Sequence, residues 1–588
     1  MDPLEFFEQP QTIIHKQYEA LRAFYLEHQS APVVAEQFGY TLSAFYALAR
    51  DFKRLLRTQD PAQRFFATPQ PGRKPIAGRE KVRSLIIALR KKYLSVADIK
   101  AILDALEASD YAVSESYIYE TIAQEGFARL PRRSATTRQD TLATVTLDAP
   151  KSVLLSRDAT PERFHTQNNL GVLCLLPYIQ AYGIDALIET AAYPATTTLP
   201  KLNSVLSFVA LKLANVRRYT ADDLWCMDRG LGLFAGLNVL PKAAWCSSYS
   251  HRVTRTANMA FLKSLNQRWA ERGLLSDTAN LDFVTIPYWG DDAHLENNWS
   301  GTRHQALASI LAVLGQDPDT GIVTYGDTTV RHRHKNAVVL EFLDFYRTSA
   351  GQTPHFLVFD SKFTTYQNLR KLDDQTNSTL KFITIRRRGK NIVKQLDALP
   401  ASAWKTLRVP TADGKTRLIK VHDQTVLLKD YGKHIRQLAL TGSGKIKPAL
   451  IITNDFDITA ERVVHKYARR WLIEQDIAEQ IHFFHLNRVS SSMVIKVDFD
   501  LTMSILAHNL YRLLAADLPG YTHSTALSLF EKFLYNSGEV AITPSAITVN
   551  LRKKRNLPAL LAAMERFNNT PISWLHNRPV HFSGSSYS

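Results

Sequence analysis

The chain has 588 residues, too many for one domain, and 45% of them are apolar, enough to bury several cores. Its net charge of +17 and pI near 9.5 fit a polyanionic partner. Cys174, Cys226 and Cys246 lack metal-type spacing, "MDPLEFFEQPQ" lacks the apolar run of a signal peptide, and "LNSVLSFVALKLANV" is too short to span a bilayer; these argue against a disulfide framework, a zinc site, secretion and a membrane partner, and for a cytoplasmic place.

Residues 1–70 read as a first DNA-binding module. In "APVVAEQFGYTLSAFYALARDFKR", Ala35 and Gly39 are four apart, and Phe45 and Leu48 follow at helical spacing. A helix-turn-helix needs a small residue at the crossing, a Gly at the turn and apolar residues inside the second helix. Thr41 or Ser43 suits the cap of that helix. Residues 71–135 hold "KVRSLIIALRKKYL", "SVADIKAILDALEASD" and "SESYIYETIAQEGF", which predict a second three-helix DNA-binding module with Ser116–Ile122 in its recognition helix. Between the modules, "QPGRKPIAGREK" reads as a linker; Arg73 and Lys74 suit a minor groove, and a plain solvated linker fits equally well. From Arg50 to Lys100, fourteen Lys or Arg stand against four Asp or Glu. Arg90, Lys91 and Lys92 are candidate phosphate contacts in this run, weighed against an exposed helix face with no partner. A polar stretch, Leu130–Pro150, reads as a second linker, and residues 150–275 as a helical scaffold.

After Leu275 the pattern turns to strands. "NLDFVTIPY" carries Asp282, and "RHQALASILAVLGQDPDTGIVTYGDTTV" predicts a hairpin by its Asp-Pro-Asp-Thr-Gly turn. "KNAVVLEFLDFYRTSAG" predicts a helix ending near Gly351, "PHFLVFD" a buried strand ending on Asp360, "TTYQNLRKLDDQ" a helix and "LKFITIRRRG" another strand. Three antiparallel strands followed by alternating helix and parallel strand make an α/β layout that matches the RNase H-like fold. That fold sets an acid on its first strand beside an acid ending its fourth, the places of Asp282 and Asp360. A third carboxylate is expected from "AERVVHKYARRWLIEQDIAEQI", read as one helix with Tyr467, Arg470 and Glu474 on one face. Three hard oxygen donors suit Mg²⁺, with Mn²⁺ as a substitute, and two such ions suit phosphoryl transfer.

Other residues compete for attention. Asp291, Asp292 and Glu296 are alternative ligands to Asp282, although a loop holds ligands less firmly than a strand. His332 and His334 resemble a chelating pair, with phosphate contact or a solvated loop the plainer reading. Arg386, Arg387 and Arg388 at a strand end suit DNA backbone, or a solvated face. Trp289 and Trp299 suit stacking on an unpaired base, or ordinary packing.

"LDFVTIPYWGDD", "LVFDSKFTTYQNL", "FITIRRRG" and "YARRWLIEQDIAEQIHFFHL" together resemble the DDE insertion-sequence transposases, in particular the group with a β-rich insertion before the glutamate helix and a Y-x-x-R-x-x-x-E signature, here Tyr467, Arg470 and Glu474. The resemblance spans residues 276–555. It implies a catalytic domain over 276–510 with the insertion at about 391–447, a C-terminal extension over 511–588, and Asp282, Asp360 and Glu474 as catalytic and metal-binding acids. It further implies double-stranded DNA as partner (element ends and target), a homodimer on DNA, nucleoid association when bound, and DNA contacts from Tyr467 and Arg470. The signature's Lys, seven residues beyond the Glu, is replaced here by Ile481. A domesticated, non-catalytic DNA-binding protein and an RNase H-like nuclease are the competing readings.

Overall fold

The computed structural model describes residues 12–58, 65, 79–91, 94–104, 113–127, 151–156, 161–216, 224–287, 295–300, 305–363, 365–410, 416–442, 448–486 and 494–584. Arg73, Lys74, Lys92, Trp289, Asp291, Asp292 and the stretch 130–150 lie outside them. The chain divides into two compact units, residues 1–147 and 148–588.

In the first unit, α1 (Ile13–Tyr25), α2 (Ala31–Gln37) and α3 (Leu42–Thr58) enclose a core of Ala20, Ala23, Val34, Ala35, Phe38 and Phe45. Gly39 turns the chain between α2 and α3 with a φ of 61°, a conformation that costs glycine no Cβ clash. Thr41 Oγ1 then accepts the Ala44 N–H at 3.2 Å and caps α3. A second core, with Val82, Ile86, Leu89, Ile99, Leu103 and Ile118, is made by α4 (Arg79–Lys91), α5 (Val96–Asp104) and α6 (Glu115–Gln124). Ser95 and Asp98 cap α5 reciprocally: Asp98 Oδ2 takes the Ser95 N–H at 3.0 Å, and Ser95 Oγ takes the Asp98 N–H at 3.2 Å.

The second unit opens with β1 (Glu162–Thr166) and a helical region whose longest members are α7 (Lys201–Leu213) and α8 (Arg255–Glu271). No single helix among the described residues is long and apolar enough to cross a membrane. A ten-stranded sheet follows. Its first part is β2 (Thr278–Pro287), β3 (Asn297–Ser300), β4 (Gln305–Gln316), β5 (Val323–Val330), β6 (Phe356–Phe359) and β7 (Lys381–Ile385). β4 runs antiparallel to β2, β3 and β5, whereas β2, β6 and β7 are mutually parallel neighbours. The β4–β5 turn is closed by Asp317, whose Oδ1 takes the N–H groups of Asp319 (2.9 Å) and Thr320 (3.0 Å). All four residues of β6 are buried, as expected of a parallel strand covered on both faces. Helices α9 (Val338–Ala350), ended by Gly351 at a φ of 70°, and α10 (Tyr366–Gln375), capped by Thr365, make the crossovers.

The inserted stretch, expected to be β-rich, is not made of strands alone. It begins with a helix, α11 (Lys390–Asp397), and its strands β8 (Lys405–Pro410), β9 (Thr416–Leu428) and β10 (Lys433–Thr441) continue the main sheet through β11 (Ala449–Thr453), which pairs with β7. The reason is a shared core: Val409, Ile419, Val421 and Leu438 of the insertion pack with Phe356, Val358 and Ile383 of β6 and β7. Lys433 anchors the insertion to α10, its Nζ donating to Asp373 at 2.7 Å and Asp374 at 3.1 Å.

Beyond the sheet lie α12 (Ala460–Ala468), α13 (Trp471–His482) and α14 (Val494–Asp517). α14 packs on β5, α7 and α8. Polar bonds lock this scaffold: Arg255 of α8 forks onto the buried Asp327 of β5 at 2.7 and 2.9 Å, and the buried Asp498 of α14 takes bonds from Asn258 at 2.8 Å and Thr328 at 3.0 Å. A five-stranded sheet of β1 with β12 (Gly538–Ile542), β13 (Ile547–Leu551), β14 (Pro571–Ile572) and β15 (Arg578–Gly584) completes the unit.

Candidate active site

β2 and β6 pair in parallel, with Leu281 opposite Phe359, so the next residue on each strand is an acid: Asp282 and Asp360 sit side by side where β6 ends. Both are partly buried. Phe283 and Phe363, each close in sequence to one acid, stack with ring centroids 3.8 Å apart and planes at 2°, and this fixes the middle of β2 against the turn that follows β6.

Glu474 arrives from the first turn of α13, which packs on β2 and β4. The stretch expected to form one helix is broken: α12 ends at Ala468 and α13 starts at Trp471. Across the break the backbone closes in tight three-residue steps, Arg470 N–H to Tyr467 O, Leu472 N–H to Arg469 O and Ile473 N–H to Arg470 O. The cause lies on β2. Thr278, Asn280 and Asp282 alternate on one face of that strand, and each engages the helical segment. Lys466 Nζ donates to Thr278 Oγ1 at 2.6 Å, Asn280 Nδ2 donates to the Arg469 carbonyl at 3.2 Å, and Arg470 Nη1 donates to Asp282 Oδ2. A side chain that captures a helical carbonyl from outside is a known source of kinks. Sequence reasoning missed Thr278, Asn280 and Lys466. Their signal was polar residues at 278, 280 and 282 alternating with the buried Ala279 and Leu281.

Arg470 is the electrostatic centre of the site. While Nη1 holds Asp282, Nη2 holds Glu474 Oε1 at 2.6 Å, and the guanidinium lies 5.7 Å from the centroid of the Tyr467 ring. Arg470 and Asp282 side chains are 17% and 16% exposed, and Glu474 is 54% exposed. Burial pushes the Asp282 carboxyl up to about 6; Arg470 and the Phe283 N–H pull the other way, and the charges of Glu474 and Asp360 add to the rise. Burial likewise pushes the Tyr467 hydroxyl up to about 12. Asp360 accepts from Ser361 Oγ at 3.1 Å.

The donor set fits a hard divalent cation in kind: three carboxylates, one of them largely buried and paired in this structure with the Arg470 guanidinium. As placed, no three His, Cys, Asp or Glu side chains among the described residues are gathered closely enough to hold a metal ion. The guanidinium stands between Asp282 and Glu474.

The remaining expected residues are scattered. Arg386 donates to Gln437 of β10 at 2.6 Å and so ties the end of β7 to the inserted strands, Arg388 donates to the Pro448 carbonyl just before β11 at 3.2 Å, and Arg387 is exposed. Arg90 is turned inward, 7% exposed, and donates to the Leu94 carbonyl at 3.0 Å, which corrects its reading as a phosphate contact; Lys91 is exposed. His332 makes a 2.7 Å hydrogen bond with Asn298 Oδ1, and its N–H goes to Glu296 at 2.9 Å, so neither His332 nor Glu296 joins the acids. Trp299 is 60% exposed on the short strand β3. Ile481 is half-buried against the main core. A cavity of about 690 Å³ is bordered by Trp471, Leu472, Gln475 and Asp476 of α13 and by Ile419 of β9; none of the three acids borders it.

Residues 286–510 match the family described as Transposase DDE domain, a span that includes Asp360 and Glu474 and begins four residues after Asp282. The chain therefore carries a DDE-type transposase domain. No curated protein matches it. A solved structure described as a piggyBac transposase synaptic complex with hairpin DNA is similar at 10% identity and a TM-score of 0.31, over 64% of this chain and 88% of that one. So slight a likeness carries no argument.

Proposed function

We propose that this chain, whose residues 286–510 are a transposase DDE domain, binds the ends of an insertion sequence and carries out metal-dependent strand cleavage and strand transfer through Asp282, Asp360 and Glu474. The observation that carries the reading is the meeting of Asp282 and Asp360 on paired parallel strands, with Glu474 bound to the first of them through Arg470. The strand order β5-β4-β2-β6-β7, antiparallel then parallel, supports an RNase H-like core.

In this reading the two N-terminal cores are helix-turn-helix modules that recognise element ends, and the surplus of Lys and Arg from residue 50 to 100 supplies sequence-independent grip. A pair of ends calls for a homodimer on double-stranded DNA. A water oxygen attacks the phosphorus at the element end, the P–O3′ bond breaks, and the leaving oxygen takes a proton to become a 3′ hydroxyl. That hydroxyl then attacks a target phosphodiester, exchanging one P–O bond for another. Mg²⁺ or Mn²⁺, as two ions held by Asp282, Asp360 and Glu474, would supply the charge that activates the attacking oxygen and steadies the leaving one. Phe283 and Phe363 hold the acids in register, and the polar ladder on β2 sets the distance to Glu474. Arg387 and Lys91 remain exposed for phosphate.

The test uses a supercoiled plasmid bearing the DNA that flanks the coding sequence. Asp282→Ala, Asp360→Ala and Glu474→Ala should each lower Mg²⁺-dependent nicking at the ends by roughly a thousandfold or more while sparing end binding in a gel shift. A Glu474→Ala protein that nicks at the wild-type rate would remove Glu474 from the assignment.

A further inference from the structure

Arg470 occupies two roles that exclude each other. Its fork holds Asp282 with one terminal nitrogen and Glu474 with the other, and a cation bridging those carboxylates needs the same oxygens. Asp360 is left outside this arrangement, bonded to its neighbour Ser361. One further observation indicates that the guanidinium is not fully satisfied where it lies. Its Nε–H is buried with no hydrogen-bond partner among the described residues, so one donor is unspent in the present position. Glu474, exposed and four residues beyond Arg470 on α13, is free to turn toward Asp282 and Asp360 once released.

We propose that Arg470 is a latch: without DNA its guanidinium takes the cation's place between Asp282 and Glu474, and a nucleic-acid phosphate draws it away, so that the acids accept a divalent ion only when DNA is present. The proposal rests on the reading of the three acids given above. Guanidinium and phosphate form a forked, charge-assisted pair of the same kind as guanidinium and carboxylate, so the exchange conserves the hydrogen bonds of Arg470 while freeing two carboxylates. The consequence is protection: an unloaded protein carries no competent site, and loading follows binding.

The experiment measures Mn²⁺ binding to the full chain by the electron paramagnetic resonance signal of free Mn²⁺. It is run alone and with a random-sequence duplex of about 30 base pairs, with binding to the duplex itself subtracted. Wild type is expected to bind Mn²⁺ at least tenfold more tightly with the duplex than without. Arg470→Gln is expected to bind without DNA at least tenfold more tightly than wild type and to gain nothing from the duplex. Arg470→Lys, which keeps the charge but cannot fork onto both carboxylates, is expected to lie between, and it decides the matter if the Gln variant fails to fold. Unchanged DNA-free affinity in the variant that folds overturns the latch. Asp360→Asn separates the two ideas: if it binds Mn²⁺ as wild type does, the assignment of the acids fails, whereas loss of binding there with no effect at Arg470 refutes the latch alone.

Discussion

Asp282→Asn should remove a pH dependence from the stability of the second unit. The carboxyl is raised from 3.8 to about 6, chiefly by burial. Its folded value therefore lies above its unfolded one, and between about pH 4 and 6 the folded state holds a proton that the unfolded chain has released. Raising the pH through that window favours unfolding, and the loss is complete above about 6. Two units of displacement at about 1.4 kcal/mol each give a penalty of about 3 kcal/mol. The amide cannot ionise, so the stability difference between variant and wild type should shift by about 3 kcal/mol in the variant's favour from pH 4 to pH 7. Loss of the Arg470 pairing lowers the variant by a nearly constant amount and leaves the slope intact. All eight tryptophans lie beyond residue 147, so urea unfolding followed by tryptophan fluorescence, with divalent ions chelated, reports on that unit. Curves for wild type and variant that run parallel from pH 4 to 7 would refute the burial of Asp282 described here.

Two further outcomes test the surroundings of the site. Asn280→Ala removes the donor to the Arg469 carbonyl and should cost about 1–3 kcal/mol in the same unfolding assay, with faster amide hydrogen exchange at Arg470–Ile473 as the local sign. Asp373 is penalised by burial, yet its bonds with Lys433 and Asn454 outweigh this and hold its carboxyl below the usual range. It therefore contributes stability above its unfolded pKa that is lost as pH falls through the folded value. Lys433→Met should raise that carboxyl and loosen β9–β10, read as increased proteolysis of the insertion at neutral pH and less difference from wild type below about pH 4.

The parts of this arrangement that were legible in the sequence are those fixed by near neighbours. "FLVF" ending on Asp360 announces a strand covered on both faces, and Asp317 with Gly321 announces the β4–β5 turn, because those signals are written within a few residues. The break at Arg469–Arg470 was not legible. Neither Pro nor Gly marks it, and the residue that captures the Arg469 carbonyl, Asn280, is 189 positions away. Membership of the inserted strands in the main sheet was hidden for the same reason, since it depends on β11 pairing with β7. Arg90 misled because a basic residue on an amphipathic helix reads as outward, whereas its guanidinium curls back onto the Leu94 carbonyl beyond the helix end.

The broken helix is a requirement of the site rather than an irregularity in it. From Thr278 to Asp282 the strand advances about 13 Å, at about 3.3 Å per residue. From Lys466 to Arg470 a regular helix would advance only about 6 Å, at 1.5 Å per residue. A straight helix could bond to two steps of the ladder on β2 but would fall short of the third. The tight turn at Arg469–Arg470 redirects the chain, so that α12 keeps its packing on β6, β7 and β8 while α13 sets off along β2 and β4. Arg470 is the residue at that corner, and this is why one guanidinium reaches both Asp282 on the sheet and Glu474 one turn along the new helix. Any change that straightened the corner would separate Glu474 from the two strand acids without touching a single carboxylate.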